Sequence, residues 1–124
     1  MKARRVLHLA VAALPLAAAL QAHAGGDAAR GKDVYETYCT SCHAPDANRV
    51  GPAHRGVFGR KAGTAPGYQY SSALAGSSLT WTEDTLDRWL TNPEALVPGQ
   101  KMGVSVPVAQ DRSDVIAYLK TLSR

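Results

Sequence analysis

Cys39-Thr40-Ser41-Cys42-His43 is the stretch from which the rest of the chain can be read. Two thiols three residues apart, followed at once by an imidazole, form the C-x-x-C-H attachment signal for c-type haem. The spacing has a physical reason. Thiols placed this way at a helix end reach the two vinyl groups on adjacent pyrrole rings, and His43 is then held against one face of the iron as proximal ligand. Three plainer readings compete. A disulfide between Cys39 and Cys42 suits an exported protein. A thioredoxin-like redox pair wants a βαβ setting, which this chain lacks. Structural zinc needs four ligands, and beyond the pair and His43 the mature chain offers only His54 as another soft one.

Upstream of this stretch the chain reads as a secretory leader. Met1 to Arg5 is basic, Val6 to Leu20 is almost wholly apolar, and Ala22-His23-Ala24 has the small residues a signal peptidase needs. The alternative is a membrane anchor, but an apolar run of 15 residues broken by Pro15 falls short of the roughly 20 that span a bilayer. We therefore expect residues 1–24 to be removed and 25–124 to form one soluble periplasmic domain with no membrane span. Covalent haem attachment in bacteria follows export, which agrees with the leader.

Removal of the leader changes the charge. The full chain of 124 residues carries 14 basic and 10 acidic side chains, a net +4. Lys2, Arg4 and Arg5 go with the leader, so 11 basic and 10 acidic residues leave +1. Charge therefore gives no case for nucleic-acid binding. A domain of about 100 residues has no room for a large α/β catalyst. With one Phe and two Trp, its core needs help from a metal, a disulfide or a cofactor.

The local patterns predict about three helices. Asp27 caps one running to Cys42, with Gly31, Val34, Tyr35, Tyr38 and Cys42 on a shared face. Thr82 caps a second through Leu86, Trp89 and Leu90, stopped by Asn92-Pro93. The last runs from Asp111 to Leu122, with Val115, Ile116, Leu119 and Leu122 on one side. Ala44 to Ser78 holds six glycines and three prolines and reads as loop and turn. Such loops bury too little apolar surface by themselves and need something to wrap around. A sixth iron ligand is also called for. The mature chain has one methionine, Met102, in Pro98-Gly99-Gln100-Lys101-Met102. Its thioether would raise the reduction potential and leave no open site. The alternatives are core filling by Met102, and His54 as ligand, although His54 lies too close in sequence to His43 to reach the opposite face.

Several further motifs follow in order: Gly51-Pro52, Gly56 to Gly63, Pro66-Gly67-Tyr68-Gln69-Tyr70-Ser71, Trp81, Asn92-Pro93, and Ile116-Ala117-Tyr118-Leu119. With the haem and methionine stretches, they make the chain resemble the class I c-type cytochromes of the mitochondrial and photosynthetic-bacterial branch, from about Gly26 to Leu122. The resemblance implies an all-α cytochrome c fold wrapped around one haem c, joined through Cys39 and Cys42, its iron held by His43 and Met102. It implies that the Pro52 carbonyl fixes the His43 tautomer, and that Arg60, Tyr70 and Trp81 serve the inner propionate, whose burial is costly without donors. It also implies that Gly31 and Tyr35 pack against the last helix near Tyr118.

The departures carry information too. Gln100 stands where the family usually has Thr, and Trp89 where many members place a Tyr that bonds the Met sulfur. Gly103-Val104 replaces an aromatic-containing stretch. Glu94 and Ala95 occupy positions of docking lysines. The function implied is a periplasmic carrier of single electrons between redox proteins (oxidase, reductase or dehydrogenase), as a free monomer or a dehydrogenase subunit. It is not an enzyme in its own right. Peroxidase activity would be incidental, arising on loss of Met102, with His54 and Arg55 as the candidate distal pair.

Overall fold

The computed structural model describes residues 25–123. The leader lies outside the described residues. The described chain forms five helices: α1 Ala28–Tyr38, α2 Ser72–Ala75, α3 Glu83–Thr91, α4 Pro93–Leu96 and α5 Ala109–Thr121. No strand occurs among the described residues, and the β pairing there is an isolated bridge between Lys61 and Thr80. The three long helices are the three expected from sequence, and their ends differ in instructive ways.

The side chain of Asp27 caps α1 by accepting from the backbone of Ala29 (2.8 Å) and Arg30 (3.2 Å). The helix stops at Tyr38, not at Cys42, with Cys39 as its C-cap. The amides of Cys42 and His43 both turn back to the Cys39 carbonyl, at 3.1 and 2.8 Å. The cysteine stretch is thus a tight turn at the helix end. Helix α3 opens on a capping box in which Thr82 and Thr85 serve each other's backbone amides, and Glu83 and Asp84 favour its positive end. Pro93 ends α3 as expected, but it also starts α4: a proline is preorganised for a first helical position, and the Asn92 side chain caps the new turn from Ala95 N–H at 3.1 Å. Sequence periodicity could not show α2 or α4, since one turn holds no repeat.

The close packing of α1 against α5 rests on Gly31. A Cβ there would lie 1.9 Å from the Asp114 carbonyl oxygen and 2.9 Å from Tyr118 Cβ. Next to this crossing the Tyr35 and Tyr118 rings meet at 5.2 Å. Asp114 is wholly buried. It accepts from the Asp27 amide (2.7 Å) and Gln110 (3.0 Å), and pairs with Arg30 at 2.8 Å. A buried carboxylate needs this much compensation, and here the compensation ties the start of α1 to α5. We expect Gly31→Ala to destabilise the holoprotein by about 3 kcal/mol, because the helices must separate. The midpoint of denaturant unfolding measures this.

Candidate functional site

One apolar cavity opens beneath these helices, and all eight residues singled out in the sequence line it: Cys39, Cys42, His43, Pro52, Arg60, Tyr70, Trp81 and Met102. They come from well-separated parts of the chain. The cysteine turn follows α1, and Pro52 lies nine residues beyond His43. The Lys61–Thr80 bridge brings Arg60 beside Trp81, with Trp81 N–H donating to the Arg60 carbonyl at 2.9 Å. Met102 sits on the loop after α4.

The imidazole of His43 has one nitrogen committed. Its Nδ1 lies 2.8 Å from the Pro52 carbonyl, so Nδ1 carries the proton and Nε2 keeps its lone pair. Burial holds the ring below the usual histidine range, although the Pro52 bond pulls the other way. The ring is therefore neutral at neutral pH and able to ligate a metal. Gly51 makes the cradle behind it, since a Cβ there would lie 2.2 Å from His43 Cε1.

On the loop side, the indole N–H of Trp89 donates to the Met102 sulfur at 3.3 Å. The substitution of Trp at this position thus keeps a donor on the thioether. Gln100 is engaged elsewhere: its Oε1 accepts from Met102 N–H at 2.5 Å, and its amide donates to Glu94 at 3.2 Å. Sequence reasoning missed this role. The spacing of Glu94 and Gln100 around a Pro-Gly turn was the available signal.

The propionate candidates are positioned unequally. Tyr70 lines the cavity and its hydroxyl accepts from Ala65 N–H at 3.0 Å, which leaves its own proton to donate. Trp81 is buried, edge-on to Trp89 at 5.3 Å. Arg60 donates to the carbonyls of Arg55 (3.2 Å) and Ala53 (3.4 Å), which anchors the guanidinium to the 53–55 turn.

His54 lies on the His43 side. The two rings stack with centroids 4.0 Å apart and planes 18° from parallel, and His54 Nδ1 is 2.9 Å from the Tyr35 hydroxyl. Burial, then the His43 ring and the Arg60 guanidinium, push His54 down to about 3. Arg55 points away and pairs with Asp46. This pair therefore does not face Met102, and it cannot act as a distal pair for peroxide.

The competing chemistries fit less well. Cys39 and Cys42 are free thiols, not a disulfide. Burial pushes the Cys39 thiol up to about 12, opposite to the lowered value a redox-active thiol needs. Among the described residues, no group of three His, Cys, Asp or Glu side chains is placed to hold a metal ion, so zinc has no ligand set. Two thiols, a neutral imidazole with a fixed tautomer, and a thioether sharing one apolar cavity suit covalent haem.

Comparison with known proteins agrees. Residues 28–123 match the family "Cytochrome c". The chain belongs to the cytochrome c family. Cytochrome c2 from Rhodomicrobium vannielii is 44% identical over 121 residues, covering 94% of this chain and 96% of its own. Cytochrome c from Euglena viridis is 44% identical over 100 residues, covering 78% of this chain and 98% of its own. The structure of cytochrome cH from Methylobacterium extorquens superposes with a TM-score of 0.74 at 45% identity, covering 77% of this chain and 99% of that one. As a cytochrome c, the chain binds haem c with its iron covalently through Cys39 and Cys42, and is an electron-transfer protein that works with other redox proteins. No helix among the described residues is long and apolar enough to cross a membrane.

Proposed function

We propose that this cytochrome c is a periplasmic monohaem carrier whose iron is held by His43 and Met102. The observation that carries the ligand assignment is the pair of oriented donors in one cavity: His43 with Nδ1 fixed on Pro52, and Met102 with its sulfur fixed by Trp89. Residues 1–24 serve as the export leader and 25–124 as the working domain. The basic, apolar and Ala-x-Ala order of the leader supports this.

Haem supplies the one-electron couple when bound, and the chain does the rest. His43 and Met102 are the residues that would hold the iron, and with both engaged no open site would be left for substrate. Trp81, Leu86, Leu90, Val115 and Leu119 wall the cavity and exclude water. With haem bound, this apolar wall would disfavour the ferric charge and, with the Met102 thioether, would raise the potential. Tyr70, Trp81 and Arg60 are the donors closest in role to a buried propionate.

The mouth of the cavity is the face presented to a partner. Val50 and Val104 both line the cavity and are 75% and 37% exposed, with Gly103 and Lys101 beside Val104. A small interface of this kind lets redox partners separate quickly.

Absorption spectroscopy of periplasmically expressed protein tests the reading. We expect sharp reduced bands that survive acid-acetone extraction, and a weak far-red sulfur-to-iron band in the oxidised form. Covalent haem without the far-red band would remove Met102 from the iron.

A further inference from the structure

The loop that carries Met102 is held by a short chain of side-chain contacts. Glu94, on α4, places one carboxylate oxygen 2.9 Å from the Gly99 amide. Its other oxygen accepts from the Gln100 side-chain amide at 3.2 Å. The carbonyl oxygen of the same Gln100 amide accepts from Met102 N–H at 2.5 Å. The path runs from α4 to the Met102 backbone without a gap. Gln100 can make both contacts only in one orientation, because its amide must face Glu94 and its oxygen must face Met102.

We propose that Glu94 and Gln100 are positioning residues that hold the Met102 loop shut over the haem cavity. Together they govern how often Met102 leaves the iron. The inference rests on the His43/Met102 reading above.

The magnitude needs care, since Glu94 is exposed and a single exposed contact contributes little to global stability. Opening of this loop is a local event, however, and only local contacts oppose it. Among the described residues, the backbone–backbone pairing inside the loop rests on Gln100 N–H to Val97 O at 3.1 Å. Gly99 sits at φ +88°, so the turn itself adds little resistance beyond glycine's tolerance of that region. The Trp89 bond holds the sulfur, whereas the Glu94–Gln100 pair holds the backbone. Loss of two carboxylate hydrogen bonds should therefore shift the opening equilibrium by about tenfold.

The test uses ferric holoprotein and imidazole as a probe that binds iron only when Met102 has left. For Glu94→Ala we expect imidazole to bind about tenfold more tightly and faster than to the unaltered protein. Glu94→Gln should fall between, because its oxygen still accepts from Gly99 while its amide faces the Gln100 amide with no acceptor. Gln100→Ala should resemble Glu94→Ala, and the double variant should add little, since the two share one contact path. Glu36→Ala, an exposed acid on α1 paired with Lys32, should leave imidazole binding unchanged.

Unaltered imidazole binding in Glu94→Ala, with the far-red band present in the parent protein, would overturn the proposal alone. A fall in melting temperature without tighter imidazole binding would do the same, because it would make the role structural. A parent protein lacking the far-red band would overturn the ligand reading, and the positioning role with it.

Discussion

The double variant Cys39→Ala/Cys42→Ala should yield no stable, folded protein. The expectation follows from where the cavity lies. Trp81, Leu86, Trp89, Leu90, Val106, Val115 and Leu119 belong to the buried core and also line the cavity. Leu86, Trp89 and Leu90 are the inner face of α3, Val115 and Leu119 that of α5, and Trp81 and Val106 lie just before each helix, so the core and the haem site are one structure. A chain denied its haem must either leave this space open or collapse into it. The cavity measures about 190 Å³. At about 24 cal/mol per Å³, leaving it unfilled costs roughly 5 kcal/mol, less whatever water at the mouth recovers. A domain of this size has only about 5–15 kcal/mol of total stability. The holoprotein yield after periplasmic expression, read from haem absorbance and circular dichroism, checks this. A folded, soluble, colourless variant would show that the helices hold together without their cofactor. His43→Ala should behave similarly, though less completely, because the thioether links would still retain the haem.

The same merging of core and site explains what the sequence could and could not disclose. The C-x-x-C-H stretch, Met102 and the caps at Asp27 and Thr82 are local signals: the caps lie where their local chemistry predicts, and the other residues line one cavity. The helix ends were less legible. Cys39 to His43 continues the spacing of the α1 face, but in the structure the chain tightens there and its amides return to the Cys39 carbonyl. Asn92-Pro93 was readable as a stop and not as a start, since a helix of one turn has no period. Long-range partners are the third class. That His54 would stack on His43, and so lie on that side of the cavity, depends on how residues 51–54 fold back. That Glu94 and Gln100 would meet depends on the Pro98-Gly99 turn. Residue types announce such contacts only after the fold has set the distances.

Replacing Met102 with Ala is the most direct trial of the electronic role of the chain. Two effects should appear together. The far-red sulfur-to-iron band should vanish, because the alanine methyl group offers no lone pair and His54 is committed to the His43 side. The reduction potential should fall by about 0.1–0.3 V, a part of the roughly 0.8 V that axial ligands span. Its sign follows from the ligand. A soft thioether favours the ferrous state, so removing it favours ferric iron, and water or an added anion at the opened position favours ferric further. Fold should survive, since Met102 is partly exposed and lies at the edge of the core cluster. Trp89→Phe then separates sulfur from its donor while keeping the ring: the band should persist, with a smaller change in potential, because the thioether loses one hydrogen bond and keeps its lone pairs for the metal. Protein-film voltammetry of both variants beside the parent gives the comparison. Should Met102→Ala keep both band and potential, some other group would hold the sixth position, and the order of effects expected for Trp89 and Glu94 would fail with it.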